Sequence, residues 1–89
     1  MLEKLELLKI EVEQEIERTK EQLKVSKADI KKLENGKKLA VDIGVDVNQI
    51  DKRISSTIHF IENLNNRVSV LKKVKYRLEK SEKMLHEIE

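Results

Sequence analysis

Histidine and carboxylate side chains occur twice at a spacing that suits a helical metal site. His59 is followed three residues later by Glu62, and His86 is followed by Glu89. On a helix this H-x-x-E spacing puts an imidazole and a carboxylate on one face, as in the metal sites of four-helix bundles. Because 17 of the 89 residues are acidic, the spacing arises readily by chance. We therefore predict surface roles for both histidines, with no metal and no cofactor.

Hydroxyl side chains are clustered at Ser55, Ser56 and Thr57, inside a long helical pattern. A hydroxyl nucleophile needs an adjacent base and is commonly held on a strained turn, which this segment does not offer. The two glycines, Gly36 and Gly44, stand apart and do not form a phosphate-binding loop. The sequence accordingly predicts no catalytic residue and no enzymatic activity.

The composition is typical of long helices in a single domain covering residues 1–89. Charged residues make up 40% of the chain with a net charge of +2, hydrophobic residues make up 38%, and there is no proline, cysteine or tryptophan. Without cysteine there is no disulfide or thiolate site. No apolar run approaches the roughly 20 residues that cross a bilayer, and charges interrupt residues 1–10, where a signal peptide would be apolar. We expect a cytoplasmic protein that does not enter the membrane.

A heptad pattern of apolar residues runs through the first third of the chain. Alternating steps of three and four residues, starting at Leu2, reach an apolar side chain at seven of the first ten positions. This pattern predicts an amphipathic helix over about residues 2–35 that packs along one stripe. The Asn35-Gly36 pair is the predicted stop, because both residues tolerate the left-handed conformation that closes a helix.

A second heptad pattern follows Asp46, which is a predicted N-cap, and indicates a helix over about residues 46–88. Beyond Leu71 the strict heptad lands on Lys75 and Glu82. We therefore expect a local shift of the stripe onto neighbouring apolar residues rather than an end to the helix. The shifted stripe is predicted to use Val74, Leu78, Leu85 and Ile88.

Complementary charges indicate how the two helices pair. Residues 1–17 hold six acids and two bases, whereas residues 67–80 hold six bases and one acid. Folding the chain near residue 41 places these blocks side by side, so we predict an all-α, antiparallel coiled-coil hairpin. The predicted hairpin seam consists of Leu5, Val12, Ile16, Leu23, Ile30, Leu33, Ile50, Ile54, Ile61, Leu64, Val68, Leu71 and Leu78.

Apolar residues beside the seam predict a further neighbour, because the stripe is wider than a two-helix contact requires. We expect a homodimer of hairpins forming a four-helix bundle, or docking of an unidentified protein helix. Either one indicates a non-enzymatic assembly role, such as an adaptor, chaperone, inhibitor or structural spacer. The predicted interface consists of Leu8, Ile58, Phe60, Val74, Ile88, Val41, Ile43 and Val45.

The segment 39–54 allows a different interpretation. The spacing of Ala40, Gly44, Val45 and Ile50 resembles the repressor-type helix-turn-helix, and this resemblance implies a small nucleic-acid-binding regulator. The basic helix face within residues 67–80 is a second way to bind a phosphate backbone. The candidate residues are Asn48, Gln49, Lys52, Arg53, Arg67, Lys72, Lys73, Lys75 and Arg77. We favour the assembly role, because the acidic block already matches these bases.

The tip of the hairpin, residues 37–45, is predicted to form about two helical turns or an irregular cap, ending at Gly44. An alternative is a short strand, since Val41, Ile43, Val45 and Val47 alternate with polar residues or glycine.

Overall fold

The computed structural model describes residues 2–88, which form two helices of equal length. Helix α1 spans Leu2–Asp42 and helix α2 spans Asn48–Ile88. The helices run in opposite directions against each other, and the hairpin measures 71 Å by 14 Å by 13 Å. The predicted all-α antiparallel hairpin is confirmed, although both helix boundaries differ from the predicted ones.

The heptad stripe of each helix is the line along which the helices meet. Thr19, Leu23 and Ser26 are buried on α1 at steps of four and three residues, and Leu64 and Val68 are buried on α2. Leu23 packs with both of these α2 residues in one cluster. The Thr19 hydroxyl donates to the Glu15 backbone carbonyl at 2.7 Å, so this polar seam residue is buried with its hydrogen bond satisfied.

Helix α1 continues through Asn35-Gly36, so the predicted stop at this pair is wrong. Within residues 2–88 only Gly44 has a positive φ, which makes Gly36 an ordinary helical residue. The two additional turns carry Ala40 into the seam, where it is 8% exposed. Packing along the seam therefore outweighs the cost of about 1 kcal/mol for a glycine in a helix interior.

Gly44 ends α1 with a φ of 77°. Its N–H donates to the carbonyl of Val41 at 3.1 Å, and the N–H of Val45 donates to the carbonyl of Ala40 at 2.8 Å. These two bonds define a Schellman motif, which needs a left-handed residue that glycine provides without a side-chain clash. Val41 is thus helical and residues 43–47 form a turn, so the predicted helical tip that ends at Gly44 is confirmed and the alternative of a short strand is wrong.

Asp46 caps the second helix as predicted, although regular helix begins two residues later. Its carboxylate Oδ1 accepts a hydrogen bond from the backbone N–H of Asn48 at 3.0 Å. The first helical backbone bond then joins the N–H of Asp51 to the carbonyl of Val47 at 2.9 Å. The carboxylate satisfies one of the donors that every helix start leaves unpaired.

The expected shift of the seam beyond Leu71 does not occur. Lys75 and Glu82 lie half-buried on the strict heptad, while Val74 and Ile88, which were expected to replace them, are 38% and 79% exposed. The α2 stripe therefore keeps one period to its end.

Opposite charges across the hairpin explain why this seam tolerates polar residues. Lys75 Nζ lies 3.5 Å from the Glu13 carboxylate, and Lys9 Nζ lies 3.8 Å from the Glu82 carboxylate. Each charged side chain thus finds a partner on the other helix while its methylene stem covers apolar surface.

Candidate interaction surface

The two histidines lie on the surface of the hairpin. The side chains of His59 and His86 are 79% and 61% exposed. Each imidazole is near one carboxylate, with 3.6 Å between His59 Nδ1 and Glu62 and 4.0 Å between His86 Nε2 and Glu82. Glu89 lies outside the described residues. Among residues 2–88, no three His, Asp or Glu side chains lie close enough to share a metal ion.

The acidic block of α1 lies beside the basic block of α2, as the charge pattern predicts. Arg67 Nη2 contacts the Glu15 carboxylate at 2.6 Å, and Lys75 Nζ lies 3.5 Å from the Glu13 carboxylate. Nearer the turn, Lys37 Nζ lies 2.7 Å from the Asp51 carboxylate. Two members of the candidate nucleic-acid set, Arg67 and Lys75, are therefore engaged within the hairpin.

The seam divides the remaining surface into two broad faces. On both antiparallel helices, side chains that immediately precede a seam position lie on one face, and those that immediately follow lie on the other. Glu15 precedes the seam residue Ile16 and contacts Arg67, which precedes Val68. Phe60, which precedes Ile61, lines one shallow groove with α1 residues 22 and 25, which also precede seam positions.

Exposed apolar side chains are concentrated on the face that precedes the seam, which we call the apolar face. Its large hydrophobic members are between 38% and 79% exposed. They are Leu8, Val25, Leu39, Phe60, Val70, Val74, Met84 and Ile88. The opposite face presents only four such residues within the described chain, and otherwise mainly charged or polar side chains. These four are Ile10, Val41, Ile58 and Tyr76.

The predicted interface residues do not form one surface. Leu8, Phe60, Val74 and Ile88 lie on the apolar face, whereas Val41 and Ile58 lie on the opposite face. Ile43 and Val45 lie in the turn, where they are 74% and 54% exposed. Sequence reasoning missed four members of the apolar face, although each directly precedes a heptad position and could have been found by that rule. These are Val25, Leu39, Val70 and Met84.

The segment that resembles a helix-turn-helix forms the bend of the hairpin. In a DNA-binding helix-turn-helix the two helices cross at about 90–120°, whereas α1 and α2 lie side by side in opposite directions. The four candidate residues in this part are all exposed. They are Asn48, Gln49, Lys52 and Arg53. The Asn48 backbone N–H is engaged by Asp46.

The remaining basic candidates lie together on the outside of α2. Lys72, Lys73 and Arg77 line one shallow groove with Ser69, Tyr76 and Lys80, and Lys80 Nζ stands 5.4 Å from the centre of the Tyr76 ring. In the described part of the chain, none of the three candidate bases forms an ion pair. This groove is the basic surface that the hairpin leaves uncompensated.

Fold and surface together define the chain as an antiparallel helical hairpin whose exposed large apolar side chains lie mainly on one face. Comparison with protein-family models, with curated proteins and with solved structures finds no match to any of them. Neither helix, over residues 2–88, has a stretch apolar and long enough to cross a bilayer.

Proposed function

We propose that this protein is a non-enzymatic interaction module that binds a partner by helix–helix packing on its apolar face. The observation that carries the proposal is the one-sided exposure of large apolar side chains along both helices. Exposed large apolar side chains are costly in water, and their concentration on one side of a protein marks an interaction site. We place this role in the cytoplasm, following the sequence-based expectation.

The shape of the hairpin supports a helical partner. On the apolar face, Val25 of α1 and Phe60 of α2 line a shallow groove between the two helices. A helix or a second hairpin fits such a groove by placing its own ridges into it. The charges that border the apolar face then select the partner and its direction.

Two neighbouring residues on α2 provide a matched test. Phe60 lies on the apolar face and is 48% exposed, whereas Ile58 lies on the opposite face and is 43% exposed. We expect both Phe60→Lys and Ile58→Lys to remain helical by circular dichroism at low temperature. Only Phe60→Lys should stop self-associating in sedimentation. When immobilised, only Phe60→Lys should fail to retain the proteins that the immobilised wild-type chain retains. Equal behaviour of the two variants in both assays would exclude the apolar face as the interaction site.

The outer groove of α2 favours a second candidate function, binding of a nucleic-acid backbone. Its bases Lys72, Lys73 and Arg77 are close together on one helix, and Tyr76 adds a ring on which a base can stack. If this function holds, the chain should bind random DNA or RNA at low salt, with affinity that falls steeply as salt rises. Lys73→Glu should weaken that binding. Absence of binding at low salt would rule this candidate out.

A further inference from the structure

We propose that the occupant of the apolar face is a second copy of this chain, lying antiparallel with its turn at the opposite end. This inference rests on the proposed function, since it names the partner of that surface. The resulting dimer is a four-helix bundle in which α1 lies over α1 of the copy and α2 over α2.

The charge distribution along α1 favours this direction. Residues 2–17 carry six acids and two bases, a net charge of −4, whereas residues 18–42 carry eight bases and four acids, a net charge of +4. An antiparallel copy sets the acidic half of each α1 over the basic half of the other. A parallel copy on the same face would instead lie with α1 over α2 of the other chain, so the two halves of α1 would not meet.

Individual residues of the apolar face on α1 repeat this complementarity. From Lys4 to Asp29 its side chains form pairs that are equidistant from one point, between Ile16 and Glu17, so an antiparallel copy centred there brings each pair together, while Leu39 lies beyond the paired stretch. One pair is apolar, two are ionic and one is polar. The pairs are Leu8 with Val25, Lys4 with Asp29, Glu15 with Arg18, and Glu11 with Gln22. The two-fold symmetry makes each contact twice.

The same reasoning applied to α2 gives a centre at Lys72. Two apolar pairs of the apolar face are equidistant from this residue, and the polar residues Asn63 and Ser81 form a third pair. The apolar pairs are Val70 with Val74, and Phe60 with Met84. One pair is unfavourable, since Arg67 falls opposite Arg77, and Ile88 has only the polar Ser56 opposite it. Glu15 already binds Arg67 within each hairpin and offsets part of this repulsion.

The two centres lie at the same level of the hairpin. Ile16, Glu17 and Lys72 line one cleft between the helices. A single two-fold axis therefore serves both helices. Residues of α1 also pair well about a point between Leu23 and Lys24, and it is the shared level with Lys72 that selects the centre between Ile16 and Glu17. This agreement is the main reason to assign the apolar face to a second copy rather than to an unrelated helix.

Cysteine cross-linking tests the arrangement directly, because the chain has no cysteine of its own. Leu8→Cys and Val25→Cys variants, mixed and mildly oxidised, should form a disulfide between the two different chains. Either variant alone should not, because the two copies of residue 8 are separated by 17 residues of α1, about 25 Å along the axis. The matched control on the opposite face is Ile10→Cys mixed with Lys24→Cys, which should remain unlinked.

The unfavourable pair gives a test by gain of affinity. Arg77→Glu replaces a like-charge contact with Arg67 by an ionic one, twice per dimer, and should lower the dimer dissociation constant roughly tenfold. Lys73→Glu makes the same change in net charge one turn away, outside the apolar face, and should leave the constant nearly unchanged. Equal tightening by both variants would overturn the assigned pairing, because it would reflect net charge alone.

The outcomes separate this inference from the proposed function. The antiparallel dimer is overturned if Leu8→Cys alone forms a disulfide. It is also overturned if the control pair, Ile10→Cys with Lys24→Cys, forms one as readily as Leu8→Cys with Val25→Cys. If the wild-type chain remains monomeric in sedimentation, and its Phe60→Lys variant no longer captures another protein, the second copy is excluded as the occupant. The interaction role then remains in place. Identical behaviour of Phe60→Lys and Ile58→Lys overturns both.

Discussion

Replacement of Gly36 by alanine distinguishes the observed helix from the one that the sequence predicts. If Asn35-Gly36 ended the first helix in a left-handed conformation, an added Cβ would be strained and the variant would be less stable. Gly36 instead lies inside α1 without a positive φ, so alanine should stabilise the protein. The sign of the effect therefore decides between the two conformations.

The magnitude follows from the surroundings of Gly36. An ideal Cβ at this position meets no atom within 4 Å, so the substitution neither clashes nor gains packing. What remains is the difference in helix propensity, about 0.5–1 kcal/mol in favour of alanine. For a chain of this size, this free energy raises the melting temperature by about 2–8 °C.

Gly44 is the matched control. It too has open space around an ideal Cβ, but its φ is 77°, where an alanine is strained. We expect Gly44→Ala to lower the free energy of unfolding by about 1–2 kcal/mol. Urea unfolding followed by helical circular dichroism, with all chains at one concentration, measures both variants. A destabilised Gly36→Ala would refute the continuous helix, and an unaffected Gly44→Ala would refute the left-handed cap.

Three further sets of substitutions test the seam and the cap. Ile61→Asp should unfold the hairpin or lower its free energy of unfolding by about 3 kcal/mol or more, because Ile61 packs against the buried core. His59 is exposed, so His59→Ala should leave the stability nearly unchanged. A lower melting temperature for His59→Ala than for Ile61→Asp would contradict the assigned seam. Asp46→Ala should lower the free energy of unfolding by about 0.5–2 kcal/mol through loss of the cap, as measured by urea titration. Replacing both Lys9 and Glu82 by leucine should stabilise the hairpin by about 1 kcal/mol. Either single replacement leaves one charge without its partner and should stabilise the hairpin less or destabilise it. A double-mutant cycle measures the interaction free energy between the two residues.

The fold was predictable because the heptad pattern and the charge blocks are both long-range regularities. Steps of three and four residues place Ile16, Leu23, Leu64 and Val68 in the seam, and these are among the most buried side chains. The local signals were less reliable. Considered by itself, the Asn35-Gly36 pair predicts the end of a helix. The seam nevertheless continues past Gly36 to Ala40, and packing between the two helices outweighs the low helix propensity of one glycine.

The polar seam positions show a second limit of sequence reasoning. Lys75 and Glu82 are charged and do not fit an apolar stripe when α2 is considered alone, so the sequence predicts a shift of the stripe onto Val74. Their partners, Glu13 and Lys9, lie on the other helix, and only the register of the hairpin brings them together. Pattern within one helix cannot show such compensation. Ile58 and Phe60, which the predicted interface joins, lie on opposite faces because Ile58 follows a seam position and Phe60 precedes one.

The small core of the single hairpin ties its stability to its association. Within residues 2–88 the buried hydrophobic side chains are few. They are Ile16, Leu23, Ala40, Leu64 and Val68. Two seam positions beside them are polar. Such a core offsets little of the conformational entropy lost on folding, so covering the apolar face should contribute a large share of the stability.

The melting temperature should therefore rise with protein concentration, because a dimer is stabilised by about 1.4 kcal/mol for each tenfold increase. Differential scanning calorimetry over a hundredfold range measures this dependence as a shift of several degrees. Phe60→Lys should melt at a lower temperature that does not vary with concentration, whereas Ile58→Lys should follow the wild type. A wild-type melting temperature independent of concentration would show that the hairpin is stable without a second copy, and that its exposed apolar residues are tolerated rather than used for self-association.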